Sequence, residues 1–221
     1  MSLVDRLMGV VAPYDCLSCG AEGGLLCAGC TQALLPVAER CYRCHKLSQD
    51  ALTCAACRKL SKLYRVSVSS VYEGVAKDVV WKLKFAGAQA ATQQMTARML
   101  PLLQAAPEAV IVPVPTASSR VRRRGYDQAE LLARELARKA RLPYITGLAR
   151  TGQAHQVGAS RQQRLKQLTD VFHVTKRRFV QDAHVILVDD VVTTGATLEA
   201  AAAALKAAGA RRVDAIVFAQ P

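Results

Sequence analysis

No charge-free stretch in this chain approaches the ~18 residues that a membrane-spanning helix needs, although 51% of its 221 residues are hydrophobic. The opening "MSLVDRLMGVVAPYDC" carries Asp5 and Arg6 and lacks an apolar run ending in a small-residue cleavage site, so no secretory signal is expected. Both absences point to a soluble, cytoplasmic protein. Beyond Cys57 there is no cysteine, which removes any thiolate nucleophile or thiolate ligand from the rest of the chain. Acids are scarce as well: 17 Asp and Glu face 30 Lys and Arg, and the net charge of +13 selects for polyanions such as nucleic acid, nucleotides, phosphate esters or acidic lipid. The cations crowd into "SSRVRRRGYDQ" (Arg120, Arg122, Arg123, Arg124) and the stretch from Arg161 to Arg178. Such crowding on loops fits anion sites better than a uniform charged shell. At ~100–200 residues per domain, the length allows one full domain and a small appendage.

The appendage lies at the front. All eight cysteines form Cys-x-x-Cys pairs, Cys16/Cys19, Cys27/Cys30, Cys41/Cys44 and Cys54/Cys57. In a reducing cytosol such pairs hold metal more often than they form disulfides, since each knuckle aims two thiolates at one tetrahedral ion. The set suffices for one or two structural zinc ions. Pairing of neighbouring knuckles needs only short hairpins and is preferred to a cross-braced order, although spacing alone does not fix it. His45 reads as a bystander. Turn-rich stretches such as "CGAEGGLLCAGC" offer too little core to fold without metal. Arg40, Arg43, Lys46, Arg58, Lys59, Lys62 and Arg65 make this front basic, and Tyr42 and Tyr64 are candidates for stacking on unpaired bases.

After "RKLSKLYR" the character changes. Periodicity predicts strands over 66–72, 109–115, 184–190 and 212–219, and helices over 74–85, 92–104 (interrupted near Pro101), 127–140 (Asp127 near its cap) and 196–208. Strands alternating with helices imply an α/β fold, a parallel sheet flanked by helices. The expected division is a zinc-ribbon region over 1–60 and a sheet domain over 61–221. Ligands of such sheets bind beyond the carboxyl ends of the strands, where the loops at 115–126 and 190–195 should meet.

One of those loops is chemically pointed. In "VILVDDVVTTGATLEAAAAAL" (185–205) an apolar strand delivers Asp189 and Asp190 to the rim of the sheet, and a turn then opens a helix whose first amides are unpaired. Those amides, the Thr193, Thr194 and Thr197 hydroxyls, Ala196 at the helix start and Gly195, which permits close approach, make a cup for a phosphate. Two acids beside it would repel an anion, unless they accept hydrogen bonds from sugar hydroxyls or help hold a divalent cation. A ribose 5-phosphate satisfies both halves.

The run "VILVDDVVTTGAT" resembles, without a gap, the phosphoribosyl-pyrophosphate (PRPP) signature of the type I phosphoribosyltransferases. The strings "YEGVAKDVVWKLKFAG", "VPVPTASSRVRRRGYDQAELLA" and "QVGASRQQRL", with the cysteine pairs before them, resemble the ComF/GntX family, competence-associated proteins with a phosphoribosyltransferase domain behind a zinc-binding front. The resemblance implies that Asp189 and Asp190 bind the ribose 2′ and 3′ hydroxyls and Thr193 to Thr197 the 5-phosphate. It implies further that Arg123 and Arg124 face the pyrophosphate, that Arg120 and Lys84 belong to the PRPP-binding set, and that Gln156 and Arg164 belong to a mobile hairpin over the site. Asp189, Asp190, Arg123 and Arg124 would carry catalysis, with Mg2+ bound alongside PRPP.

The expected function is that of a ComF-type protein that binds PRPP or a related ribose phosphate with magnesium and acts in DNA uptake by contacting single-stranded DNA, beside a competence helicase and recombination proteins. The alternative is an active phosphoribosyltransferase of nucleotide metabolism or salvage, with no DNA role and an acceptor the sequence does not reveal. The intact acid pair favours an enzyme; resemblance of fold does not by itself establish turnover.

Overall fold

The structure, a computed structural model, describes residues 15–104, 108–150 and 171–221. Six strands form among them: β1 (Arg65–Val71), β2 (Val110–Pro113), β3 (Leu148–Arg150), β4 (Phe172–Val174), β5 (His184–Val191) and β6 (Arg212–Gln220). The helices are α1 (Ala28–Gln32), α2 (Ala55–Arg58), α3 (Gly74–Phe85), α4 (Ala91–Met99), α5 (Ser118–Arg124), α6 (Gln128–Ala140) and α7 (Ala196–Ala207). The main sheet runs in the order β1-β6-β5-β2, parallel throughout, while β3 and β4 make a separate antiparallel pair. Past β2 the segment at 143–145 adds its backbone, with the Ile111 N–H donating to Pro143 O at 2.8 Å and the Ile145 N–H to Ile111 O at 3.0 Å.

Side chains of a strand alternate between faces, and both faces of this sheet are apolar because helices cover both. On one face Val185 and Leu187 of β5 meet Leu198, Ala201, Ala202 and Leu205 of α7; the alanines let that helix approach the strands closely. On the other face Ile186 and Val188 meet Val79 and Leu83 of α3, Met95 and Met99 of α4, and Leu132 and Leu136 of α6. The front packs onto the same cores. Leu34 is buried with α3 and α4, Tyr42 is buried with α7, and the Val71 N–H donates to Leu35 O at 2.9 Å.

Local chemistry sets the element ends. Pro101 closes α4 into a single 3-10 turn over Leu100–Leu102, so the helix expected to reach 104 ends earlier. Asp127 caps α6, accepting from the Ala129 N–H at 3.0 Å and the Glu130 N–H at 3.4 Å. The arginine stretch expected as a loop is instead the helix α5, stopped by Gly125 in the left-handed conformation (φ 83°). Arginine is a good helix former and no Asn or Asp competes for the backbone there, so the run coils until glycine ends it.

Candidate functional site

β5 and β2 are adjacent and parallel, so the loops leaving their carboxyl ends emerge at the same edge of the sheet. β5 carries Asp189 and Asp190 to this rim. The Asp189 carboxylate accepts from the Asp190 N–H at 2.8 Å, while the buried Asp190 meets Lys84 of α3, Nζ to Oδ2 2.8 Å. Burial, and then the neighbouring charge of Asp190, raise the Asp189 carboxyl well above the usual carboxylate range. The acids are thus unequal, one neutralised by a lysine and the other poised to gain from a hydroxyl donor or a cation.

Beyond them the Val192 N–H donates to Ala219 O at 3.0 Å, and the chain leaves the sheet. Thr193, Thr194, Ala196 and Thr197 are exposed, so the bend is open to solvent. Ala196 N–H donates to Thr194 Oγ1 at 3.4 Å; the amides of Thr193, Thr194, Gly195 and Thr197 have no acceptor among the described residues. Gly195, in contrast, is buried at φ 76°, backed by the ring of Tyr42. Tyr42 is held in turn: its hydroxyl bonds with Ser61 at 2.9 Å and with Glu199 in the first turn of α7, and Glu199 also accepts the Lys62 N–H at 3.0 Å. The bend expected from the sequence to hold a phosphate therefore has an open front and a wall supplied by the Cys41/Cys44 knuckle.

From the β2 side, Asp127 accepts from the Thr116 N–H at 2.8 Å and the Thr116 hydroxyl at 2.9 Å, which pins the turn into α5. Arg124 is half-buried, donates to Gln128 Oε1 at 2.7 Å and lies 5.0 Å from the centre of the Phe85 ring; its buried Nε has no partner among the described residues. The Tyr126 hydroxyl donates to Leu83 O, tying α3 to the arginine helix. Arg120 and Arg123 are exposed on α5 and form no ion pair among the described residues. Of the cations singled out in the sequence, the structure brings Lys84 to the acid pair and Arg124 to the same helix turn. Gln156 and Arg164 lie outside the described residues. Thr116 was not expected, and Tyr42 was expected to stack on bases rather than to back the bend. The helix cap at Asp127 hints at Thr116, but a contact between distant segments such as Tyr42 and Gly195 leaves no local signal.

The cysteines group in sequential order, Cys16, Cys19, Cys27 and Cys30 in one set and Cys41, Cys44, Cys54 and Cys57 in the other, with the sulfurs of each set within 4.8 Å of one another. Four thiolates on a tetrahedral zinc at ~2.3 Å would stand about 3.8 Å apart. Cys19 and Cys27, and Cys44 and Cys54, are each 3.7 Å apart, sulfur to sulfur, which fits such an ion. The Cys27 N–H (3.5 Å) points at Cys16 Sγ, and amide donors of this kind outweigh burial to hold Cys16 down at about 6, with the same pattern at Cys41. His45 belongs to neither set.

A cavity of about 420 Å3 opens between the segment that follows the Cys54/Cys57 knuckle and the far end of α7, lined by Arg58, Lys62, Lys206, Arg211, Arg212 and Tyr64 among others. The guanidinium groups of Arg58 and Arg212 each lie 3.9 Å from the Tyr64 ring centre. Tyr42 is buried and Tyr64 engaged by two arginines, so neither presents the open face that stacking on a base would need.

A model of the family described as "Phosphoribosyl transferase domain" matches residues 121–221. Competence protein F of Haemophilus influenzae is 37% identical over 112 residues, 49% of this chain and 48% of that protein. Competence protein ComFC of Bacillus subtilis is 38% identical over 96 residues, 43% of this chain and 38% of that protein. Both matches thus span less than half the length of the relative. The DNA utilization protein YhgH of Salmonella typhimurium is 28% identical over 202 residues, 86% of this chain and 87% of that protein. Among solved structures, the glutamine PRPP amidotransferase from B. subtilis aligns at 22% identity over 57% of this chain and 26% of that one, with a TM-score of 0.43. No helix among the described residues is long and apolar enough to cross a membrane.

Proposed function

We propose that the chain is a ComF-family protein whose phosphoribosyl transferase domain binds PRPP or a related ribose phosphate, with magnesium, and that it serves DNA uptake by contacting single-stranded DNA; its similarity to two competence proteins and the matching domain model support this reading. The observation that carries the sugar-phosphate half is the pairing of two adjacent carboxylates with an open, hydroxyl-lined bend at the start of a twelve-residue helix. Asp189 and Asp190 take the ribose hydroxyls, and the amides and hydroxyls of Thr193 to Thr197 take the 5-phosphate. Lys84, Arg120, Arg123 and Arg124 match the pyrophosphate charge, and Gln156 and Arg164 complete the set by family position. Carboxylate oxygens are the donor type magnesium prefers; held there together with ligand oxygens, the ion would neutralise charge on the departing pyrophosphate.

The DNA half is supported by the names of the relatives and by the cationic cavity beside the Cys54/Cys57 knuckle. A competence helicase and recombination proteins are the partners proposed for that role, in the cytoplasm. The proposed division sets a zinc-holding front at 1–60 against a transferase unit at 61–221, with two structural zinc ions in the cysteine sets.

A second reading, an active phosphoribosyltransferase of nucleotide metabolism or salvage, draws on the same site. With pyrophosphate as leaving group, an acceptor would attack the anomeric carbon while the acids steady the ribose. Calorimetric titration with PRPP and magnesium tests the shared premise: saturable binding in the wild type and its loss in Asp189→Asn/Asp190→Asn support it, and equal affinity in both refutes it. Release of pyrophosphate on adding candidate acceptor bases favours the second reading. Oligonucleotide binding that falls steeply with salt and survives the double substitution favours the first.

A further inference from the structure

α3 gives its inner face wholly to the core, where Ala76, Val79, Val80 and Leu83 are fully buried. The outer face of such a helix is ordinarily polar. Trp81 and Phe85 depart from that rule: they are 52% and 54% exposed, one turn apart, with ring centres separated by 5.9 Å. The core does not use these faces. Isolated apolar side chains on a surface need no explanation, but a tryptophan leaning on a phenylalanine does.

The neighbours say what the pair suits. Lys84, on the same turn, touches Asp190, so the stretch of helix that displays the rings also reaches the acid pair. The Arg124 guanidinium borders Phe85 and is fixed by Gln128. Rings edged by cations and set beside carboxylates match a flat heteroaromatic group whose attached sugar is hydroxylated and whose tail is anionic.

We propose that Trp81 and Phe85 form a stacking platform for a nucleobase, on the side of the ribose-phosphate site from which a base would meet the sugar. The placement rests on the ribose-phosphate reading; the exposure of the rings does not. The base arrives either on a free nucleotide or as an unpaired base of a single strand, and the shared chemistry is a planar ring joined to a sugar phosphate.

Trp81 is the single tryptophan of the chain, so its emission is the whole tryptophan signal. The experiment titrates the full-length, zinc-loaded protein with adenosine 5′-monophosphate, ribose 5-phosphate and a short oligothymidylate, reading emission and heat in parallel. Saturable quenching by the nucleotide, with binding of ribose 5-phosphate that leaves emission unchanged, supports a platform for free nucleotides. Quenching by the oligothymidylate alone supports a strand as the source. Absence of quenching by either overturns the proposal. Nucleotide quenching without heat from ribose 5-phosphate leaves the platform standing and removes the ribose-phosphate reading instead. In Trp81→Leu, read by heat, nucleotide affinity falls about tenfold, the scale of one lost base–aromatic stack, while ribose 5-phosphate affinity is kept; full nucleotide affinity in that variant contradicts the proposal.

Discussion

The ring of Tyr42 occupies the space a side chain at position 195 would need: a Cβ built on Gly195 would stand 2.7 Å from Tyr42 Cε2. Tyr42 lies between Cys41 and Cys44, two members of the second cysteine set. The wall behind the phosphate bend is thus fastened to a metal knuckle.

Gly195→Ala meets both the left-handed backbone, at φ 76°, and the Tyr42 ring. Strain and overlap together should cost about 2 kcal/mol or more in urea unfolding. In a Tyr42→Ala background the added cost should shrink, because only the backbone term remains; strictly additive effects would mean that the ring and the bend are uncoupled.

Metal removal should act on the distant bend. A chelator should draw two zinc equivalents, melt the cysteine knuckles and leave the strand signal of the sheet in circular dichroism, at a lower melting temperature. Because Tyr42 then loses its anchor, affinity for PRPP should drop about tenfold or more. Undiminished affinity after complete zinc loss would show that the bend needs no wall.

Asp189 trades stability for function. Its folded pKa is raised, by burial first and the Asp190 charge second. Between the unfolded value of ~3.9 and that raised value the folded state binds the extra proton, so stability falls as pH rises through this window. Asp189→Asn should remove that slope and, at neutral pH, gain about 1 kcal/mol, or ~2–4 °C in melting temperature, while abolishing sugar binding. A less stable variant at neutral pH would contradict the assignment.

Asp214 has the opposite sign. Burial pushes its carboxyl up, but the nearby His184 and the Arg212 guanidinium, which bonds both carboxylate oxygens, outweigh it and hold the group below the usual range; His184 Nε2 is 3.2 Å and Arg212 Nη2 2.7 Å from Oδ2. Its contribution is present above the unfolded pKa and is lost as pH falls through the folded one. Asp214→Asn should therefore cost about 1.5–3 kcal/mol at neutral pH, the scale of hydrogen bonds lost to a charged group, and flatten the acid limb of the stability curve. A variant whose acid limb matches the wild type would show that another group sets it.

Much of this was legible in the chain. Val79, Val80 and Leu83 recur at helical spacing, and α3 runs over 74–85 as the periodicity predicts. The unbroken apolar run from Val185 to Val188 reads as a strand covered on both faces, and it ends on the two acids as expected. Sequential pairing of the knuckles, preferred from the sequence for its short hairpins, is the grouping the structure has. The arginine segment misleads because a dense positive run reads as solvent-exposed loop, whereas its residues are good helix formers with a glycine stop. Tyr42 misleads for another reason. A tyrosine in a basic, metal-binding stretch looks available for stacking, and only the folded chain reveals that its ring is spent against Gly195.

A crystal structure of the protein with magnesium and PRPP tests the central claim most directly. The account predicts the 5-phosphate on the amides of the Thr193–Thr197 bend and the ribose hydroxyls on Asp189 and Asp190, with the Lys84 contact to Asp190 rearranged. A sugar seated elsewhere, with the bend empty and the Lys84–Asp190 pair intact at saturating ligand, would contradict it.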